Sequence, residues 1–248
     1  MRILWNNEFD KYTITANSEA SGYPASNLQD ISRKKVTRTT GVNSEWWKIG
    51  NGIDKIKLSS IAIAEHNFTS GATVKLQGND TDVWTSPAKE EVIAYDADIM
   101  VKFFTSGEYY YWRLLVEDPS NPDGYIEIGR ISAGEYLQMP GIEPGFKYPK
   151  RTTSERDFTV TGQIYGDKGI MQRTAGFVFP VIEDSERVEI DEMWDAILNI
   201  VPLFLIIYEN SLDVIPALYC VIDQEDIPWR KSENGLDWSM EINFLEVF

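Results

Sequence analysis

His66 is the only histidine and Cys220 the only cysteine in 248 residues, so any triad-type or thiol apparatus must use one of them. His66 lies in Ala64-Glu-His-Asn67, just after a strand-like run, with no nucleophile-elbow or other local signature beside it. That setting predicts a turn or sandwich-edge hydrogen-bonding role. One His and one Cys in separate domains cannot furnish a four-ligand zinc set. Asp and Glu total 39, enough for some pair to fall at glycosidase distance by chance, so their number carries no specificity. In Glu117-Asp-Pro-Ser-Asn-Pro-Asp-Gly124, Asn121 and Asp123 take EF-hand order ahead of Gly124, but Pro119 occupies the first ligand position. An Asx/Pro turn is the expectation there, with a looser oxygen-ligand site as the alternative. Gly162-Gln-Ile-Tyr-Gly166 has neither P-loop nor dinucleotide spacing, and Asn67-Phe-Thr69 and Asn79-Asp-Thr81 match only the glycosylation acceptor pattern. The chain is therefore expected to carry no catalytic residues, no cofactor and no metal.

Aromatic side chains are the remaining candidates. Trp46, Trp47 and Trp84 fall near predicted loops of the N-terminal half, where indole faces can stack on sugar rings. The competing expectation is that strand alternation turns one of the adjacent pair Trp46 and Trp47 into the core and the other outward.

Net charge is −16, which repels nucleic acid phosphates and anionic lipid. The charge is uneven: residues 150–248 hold 8 Lys and Arg against 19 Asp and Glu, leaving a net of only −5 for residues 1–149. This acidity serves solubility, or lines a channel along which DNA slides without sticking. Cys220 sits in the apolar run Ile215-Pro-Ala-Leu-Tyr-Cys-Val-Ile222 and reads as a small buried hydrophobe. The opening Met1-Arg-Ile-Leu-Trp-Asn-Asn-Glu-Phe-Asp10 has no apolar signal-type run, and the longest apolar run, 200–208, is too short to span a bilayer. The expectation is a chain folded in a reducing cytoplasm, with no membrane partner and no sequence-specific nucleic acid binding.

The elements that must position these residues are mostly strands. Ile56-Lys-Leu-Ser-Ser-Ile-Ala-Ile63 switches its apolar residues from even to odd positions, which signals a bulge. Ala72–Gln77 alternates cleanly, and Tyr109–Val116 puts Trp112, Leu114 and Val116 on one face. Tyr125–Ile128 and the stretch at Ile131 add two short strands. Many short strands separated by Gly, Asn, Asp and Pro turns specify a sandwich or jelly roll over residues 1–140. Residues 141–150, with three prolines between Met139 and Pro149, read as a linker. Residues 151–248 then read β-β-α-β-β-β, opening with strands Asp157–Ile164 and Thr174–Phe179. The helix spans about Glu186 to Ile200, capped by Asp184 or Ser185 and stopped by Pro202. Its packing face is Ile190, Met193, Trp194, Ile197, Leu198 and Val201. Leu203–Tyr208, Leu218–Asp223 and Trp238–Val247 close the sheet.

Two resemblances follow. Tyr23-Pro-Ala-Ser-Asn-Leu-Gln-Asp30, Val36-Thr-Arg-Thr-Thr40, Trp47, His66-Asn67, Ala72-Thr-Val-Lys-Leu-Gln-Gly78 and Tyr111-Trp-Arg-Leu114 resemble discoidin-like domains of phage tail proteins. That implies a jelly-roll β-sandwich whose loops bind carbohydrate or another protein. The C-terminal half resembles the tail-tube-like domain of siphophage distal tail and tail tube proteins, a β-sandwich with one flanking α-helix. The implied function is a structural component of a phage tail tip or baseplate, forming a ring, taken as hexameric, around the DNA channel. The implied partners are the tail tube, baseplate hub and tape measure, and the implied location is the virion tail, assembled in the host cytoplasm. Familiar distal tail proteins place the ring domain first, and this chain reverses that order. The alternative function is a carbohydrate-binding module for attachment to a host surface.

Overall fold

The computed structural model describes residues 1–208, 215–231 and 235–248. It is mainly β, built from antiparallel strand pairs with one α-helix of fourteen residues among the described residues. No described helix is long and apolar enough to cross a membrane. The chain divides into two compact units, one comprising Arg2–Gln138, Leu203–Ala217 and Phe248, the other Met139–Pro202 and Leu218–Val247 with Met1.

The first unit holds a sandwich. One sheet has five strands, running Thr15–Ala16, Glu45–Gly50, Tyr111–Glu117, Thr73–Asn79 and Lys89–Ile93 from edge to edge. The other has four, in the order Thr37–Arg38, Glu127–Gly134, Ile56–His66 and Ile99–Tyr109. Alternation decides what lies between them. Trp47 and Ile49, Trp112, Leu114 and Val116, and Val74 and Leu76 from the first sheet join Ile56, Leu58, Ile61, Ile63, Ile128 and Ile131 from the second in one buried cluster. Each such side chain contributes about 1.5–3 kcal/mol by leaving water. Trp112 Nε1 also donates to the Ile56 carbonyl at 2.9 Å, tying one sheet to the other at the core. The predicted bulge is present, as the register with Ile99–Tyr109 shifts between Leu58 and Ser60. Tyr125–Ile128 and Ile131, predicted as two strands, form one strand, Glu127–Gly134. The predicted run Tyr109–Val116 is present as Tyr111–Glu117, with Trp112, Leu114 and Val116 inward, while Tyr109 ends the preceding strand Ile99–Tyr109.

Leu203–Ala217, expected in the C-terminal domain, belongs to this unit. Strand Leu203–Ile206 pairs with Arg2–Leu4, which pairs on its other side with Leu137–Gln138. All four of its side chains are buried, as an uninterrupted apolar run requires.

In the second unit, Lys150–Thr152, Met171–Ile182, Trp238–Glu246 and Leu218–Ile222 lie side by side, with Arg230–Lys231 also on Trp238–Glu246. The expected strand Asp157–Ile164 is a small hairpin, Asp157–Phe158 against Ile164–Tyr165. The proline-rich stretch is not a free linker. Lys147 exchanges backbone hydrogen bonds with Gly176 at 3.2 and 3.0 Å, and Glu143 N–H donates to Val178 O at 2.8 Å.

The helix is Asp184–Ile197, and its N-cap is Glu183, one residue ahead of the predicted Asp184 or Ser185. The Glu186 side chain accepts from Glu183 N–H at 2.9 Å, while the Asp184 carboxylate accepts from Trp238 Nε1 at 2.7 Å. Of the predicted packing face, Ile190, Met193 and Ile197 are buried and Trp194 is half-buried. Leu198 and Val201 are exposed because the helix ends before Pro202: Leu198 takes φ 51°, ψ −139° and turns the chain away.

Candidate functional site

Inward alternation on the five-stranded sheet leaves a second set of residues pointing out, and these converge. Lys48, Arg113, Gln77 and Glu90 are register partners across four adjacent strands, Lys48 opposite Arg113, Arg113 opposite Gln77, Gln77 opposite Glu90. Arg113, Gln77 and Glu90 form one hydrogen-bonded row. Arg113 Nε donates to Gln77 Oε1 at 2.6 Å, Gln77 Nε2 to Glu90 Oε2 at 2.6 Å, and Lys75 Nζ to Glu90 Oε1 at 2.9 Å. Lys48 is ion-paired to Asp82 in the connection that follows Thr73–Asn79. That pair holds the connection against the sheet, and within the connection Asp82 Oδ1 also accepts from Trp84 Nε1 at 2.7 Å.

Aromatic rings frame the row. The Arg113 guanidinium lies 4.4 Å from the Trp84 ring centroid, and Lys48 Nζ lies 5.5 Å from that of Trp46 and 5.9 Å from that of Tyr111. Trp46, Trp84 and Tyr111 are each half-buried, leaving ring surface accessible beside fixed donors and acceptors. Burial alone would raise the Asp82 pKa, but the hydrogen bonds from Lys48 and Trp84 hold its carboxyl below the usual range. Hydrogen bonds from Lys75 and then Gln77 hold Glu90 low as well. Both carboxylates are acceptors at neutral pH, and neither is poised to give up a proton as a general acid. The arrangement suits recognition of a polyhydroxylated ring: flat apolar faces, with acceptors and charged donors at their edges.

Of the three predicted tryptophans, Trp46 and Trp84 meet at this face and Trp47 does not. Trp47 is fully buried, its Nε1 donating to Thr37 Oγ1 at 3.4 Å, so it cannot touch a ligand. Trp46 and Trp47 also lie within strand Glu45–Gly50 and not in a loop. Lys48, Asp82, Gln77, Glu90, Tyr111 and Arg113 went unpredicted, although the signal for two of them was present: if Trp112 and Leu114 face inward, Tyr111 and Arg113 must face outward.

The other candidates resolve into structural roles. His66 Nδ1 accepts from Phe68 N–H at 3.2 Å, its Nε2 bonds the Asp96 carbonyl at 3.0 Å, and its ring stacks on Phe68 with centroids 4.4 Å apart. In the loop after strand Tyr111–Glu117, Asp118 is fully buried and accepts from Thr69 N–H at 2.8 Å, Thr69 Oγ1 at 2.7 Å and Asn121 Nδ2 at 3.2 Å. Those donors occupy the carboxylate that a cation would need. Among the described residues no group of three or more His, Cys, Asp or Glu is placed to hold a metal. Cys220 is buried in the second unit, and burial pushes its thiol pKa well up, which makes it inert. That unit also has a cavity of about 550 Å³ bordered by Glu143, Phe146, Arg151, Glu241 and Asn243.

No family model matches the chain, and no curated protein matches it. Solved structures with a similar fold include chitosan-binding module 1 from a chitosanase/glucanase of Paenibacillus sp. IK-5. It is 20% identical and aligns over 52% of this chain and 99% of that one, with a TM-score of 0.43. A family 32 carbohydrate-binding module from C. perfringens NanJ, solved with galactose, is 15% identical over 55% and 99%, with a TM-score of 0.42. A Streptococcus pneumoniae fucose-binding module is 13% identical over 52% and 95%, with a TM-score of 0.41. At these identities and scores the likeness assigns neither family nor ligand, and it does not bear on the tail resemblance.

Proposed function

We propose that this chain is a non-catalytic binding protein whose N-terminal sandwich takes a carbohydrate on the outer face of its five-stranded sheet. The observation that carries it is the hydrogen-bonded row Arg113, Gln77 and Glu90, with Lys48 in register beside Arg113, framed by Trp46, Tyr111 and Trp84. Sheet strands hold the row in register, so little ordering entropy remains to be lost when a sugar binds. A glycan array probed with the full chain, followed by titration of the best ligand, tests this. Trp84→Ala and Trp46→Ala are each expected to weaken binding about tenfold or more, the usual loss for an aromatic anchor. Saccharide binding that persists undiminished in both variants, or no saccharide binding at all, would remove the proposal.

The C-terminal half supports a second reading, a distal-tail-like structural component of a phage tail tip located in the virion. Residues 174–248 carry 3 Lys and Arg against 16 Asp and Glu, a composition that repels duplex phosphates and suits the wall of a DNA channel. Negative-stain images of the concentrated protein, alone and with tail tube protein, test it. Rings with a central hole are expected, and their absence in both samples counts against the role.

A further inference from the structure

Charge along the second unit reverses abruptly. Residues 147–173 hold six Lys and Arg against three Asp and Glu, a net of +3, and residues 174–248 have a net of −13. The basic stretch is also the most exposed part of the molecule. Every residue from Pro149 to Lys168 is exposed, although the segment is built and fastened. Its base is closed by Thr153 N–H to Ile170 O at 3.0 Å and Gly169 N–H to Ser154 Oγ at 3.0 Å. Its tip is a turn in which Gly162 takes φ +82°, with Thr159 N–H donating to Gln163 O at 2.9 Å. Tyr165 Oη donates to Asp157 Oδ2 at 3.1 Å across the ribbon.

This ribbon displays Phe158, Val160, Ile164, Tyr165, Ile170 and Met171 to solvent, with Val160 more exposed than in an extended reference chain. A two-stranded ribbon is marginal in water by itself, and apolar residues clustered on an exposed, ordered projection mark an interaction surface. Arg151, Arg156 and Lys168 on it make no ion pair among the described residues.

The complementary surface is on the same chain. The outer side of the helix presents Val188 with Glu189, Glu192 and Asp195, all exposed and none in an ion pair among the described residues. We infer that the 153–170 ribbon docks on the acidic outer face of the helix in a second copy of this chain. Phe158 and Ile164 would cover Val188, with Arg156 and Lys168 set against the three carboxylates. Ribbon and helix face are different patches, so the contact is head-to-tail, and repetition closes a ring or extends a filament. The inference requires no carbohydrate ligand and no tail partner, and it stands if either reading above fails.

Light scattering and sedimentation of the full chain over a concentration series at low and high salt provide the test. The wild type is expected to gain mass with concentration and to dissociate as salt rises. Phe158→Ser with Ile164→Ser, both exposed and outside any core, should raise the dissociation constant at least tenfold with unchanged circular dichroism. Arg156→Glu with Lys168→Glu should do the same, and adding Glu189→Lys and Glu192→Lys to that variant should restore association. A wild type that stays monomeric throughout, association that survives the ribbon substitutions, or charge reversal without rescue would each overturn it.

Discussion

His66 closes the end of strand Ile56–His66 through both ring nitrogens, and the bond from Phe68 N–H requires Nδ1 unprotonated. Burial lowers the imidazole pKa, with the Asp96 carbonyl pulling the other way, so the folded chain takes up its proton later than the unfolded chain does. Stability is therefore complete above about pH 6.5, the unfolded value, and falls as pH drops below it. Because the chain has one histidine, urea midpoints at pH 7.5 and 5.5 isolate the effect. The wild type is expected to lose more on acidification than His66→Gln, and equal losses would contradict the assignment. A second residue-scale prediction concerns Arg130, buried with both terminal nitrogens on Asp10 at 2.8 and 2.5 Å. Asp10→Ala leaves that guanidinium without its carboxylate and is expected to cost about 3 kcal/mol in denaturant unfolding. Sequence alone indicated that His66 is structural, because no nucleophile or metal partner accompanied it. It left open which of Trp46 and Trp47 faces out, since alternation fixes the relation between neighbours and not its phase.

At the scale of elements, periodic segments were legible and chain reversals were not. The helix followed from Ile190, Met193 and Ile197, but its end did not. Leu198 leaves the helix with positive φ, where a glycine would be expected. Pro202, the visible stop signal, lies four residues too late. Leu198→Gly should relieve that backbone at the loss of one half-exposed side chain, raising the unfolding free energy of the helix-bearing unit by about 1 kcal/mol. Destabilisation on that substitution would show that Leu198 contributes packing. Strand Ile99–Tyr109 escaped detection for a different reason. Its sequence Ile-Met-Val-Lys-Phe-Phe-Thr-Ser-Gly-Glu-Tyr lacks two-residue alternation, because only its first two residues are fully buried. The polar row on the five-stranded sheet is an assembly of four strands, Glu45–Gly50, Tyr111–Glu117, Thr73–Asn79 and Lys89–Ile93, and register between distant strands is not written in any one of them.

At the scale of the molecule, charge and exposure separate the roles of the two units. The first presents a sheet face where aromatic rings border paired charges. The second concentrates acid after residue 174 and displays an apolar, basic ribbon before it. The overall acidity was plain from composition, whereas the ribbon was not, since Asp157–Ile164 read simply as a strand. The transfer of Leu203–Ala217 to the first unit was equally hidden, because a long-range pairing with Arg2–Leu4 leaves no local signal. The central claim is that the outer sheet face with the 80–88 connection beside it, and neither the 67–71 and 118–125 loops nor the cavity, receives a sugar. Hydrogen exchange of the full chain with and without a saturating saccharide from the array tests it most directly. Slowed exchange is predicted over residues 45–50, 80–88 and 111–115. Slowing confined to the loops at 67–71 and 118–125, or to the cavity segment at 143–151, would contradict it.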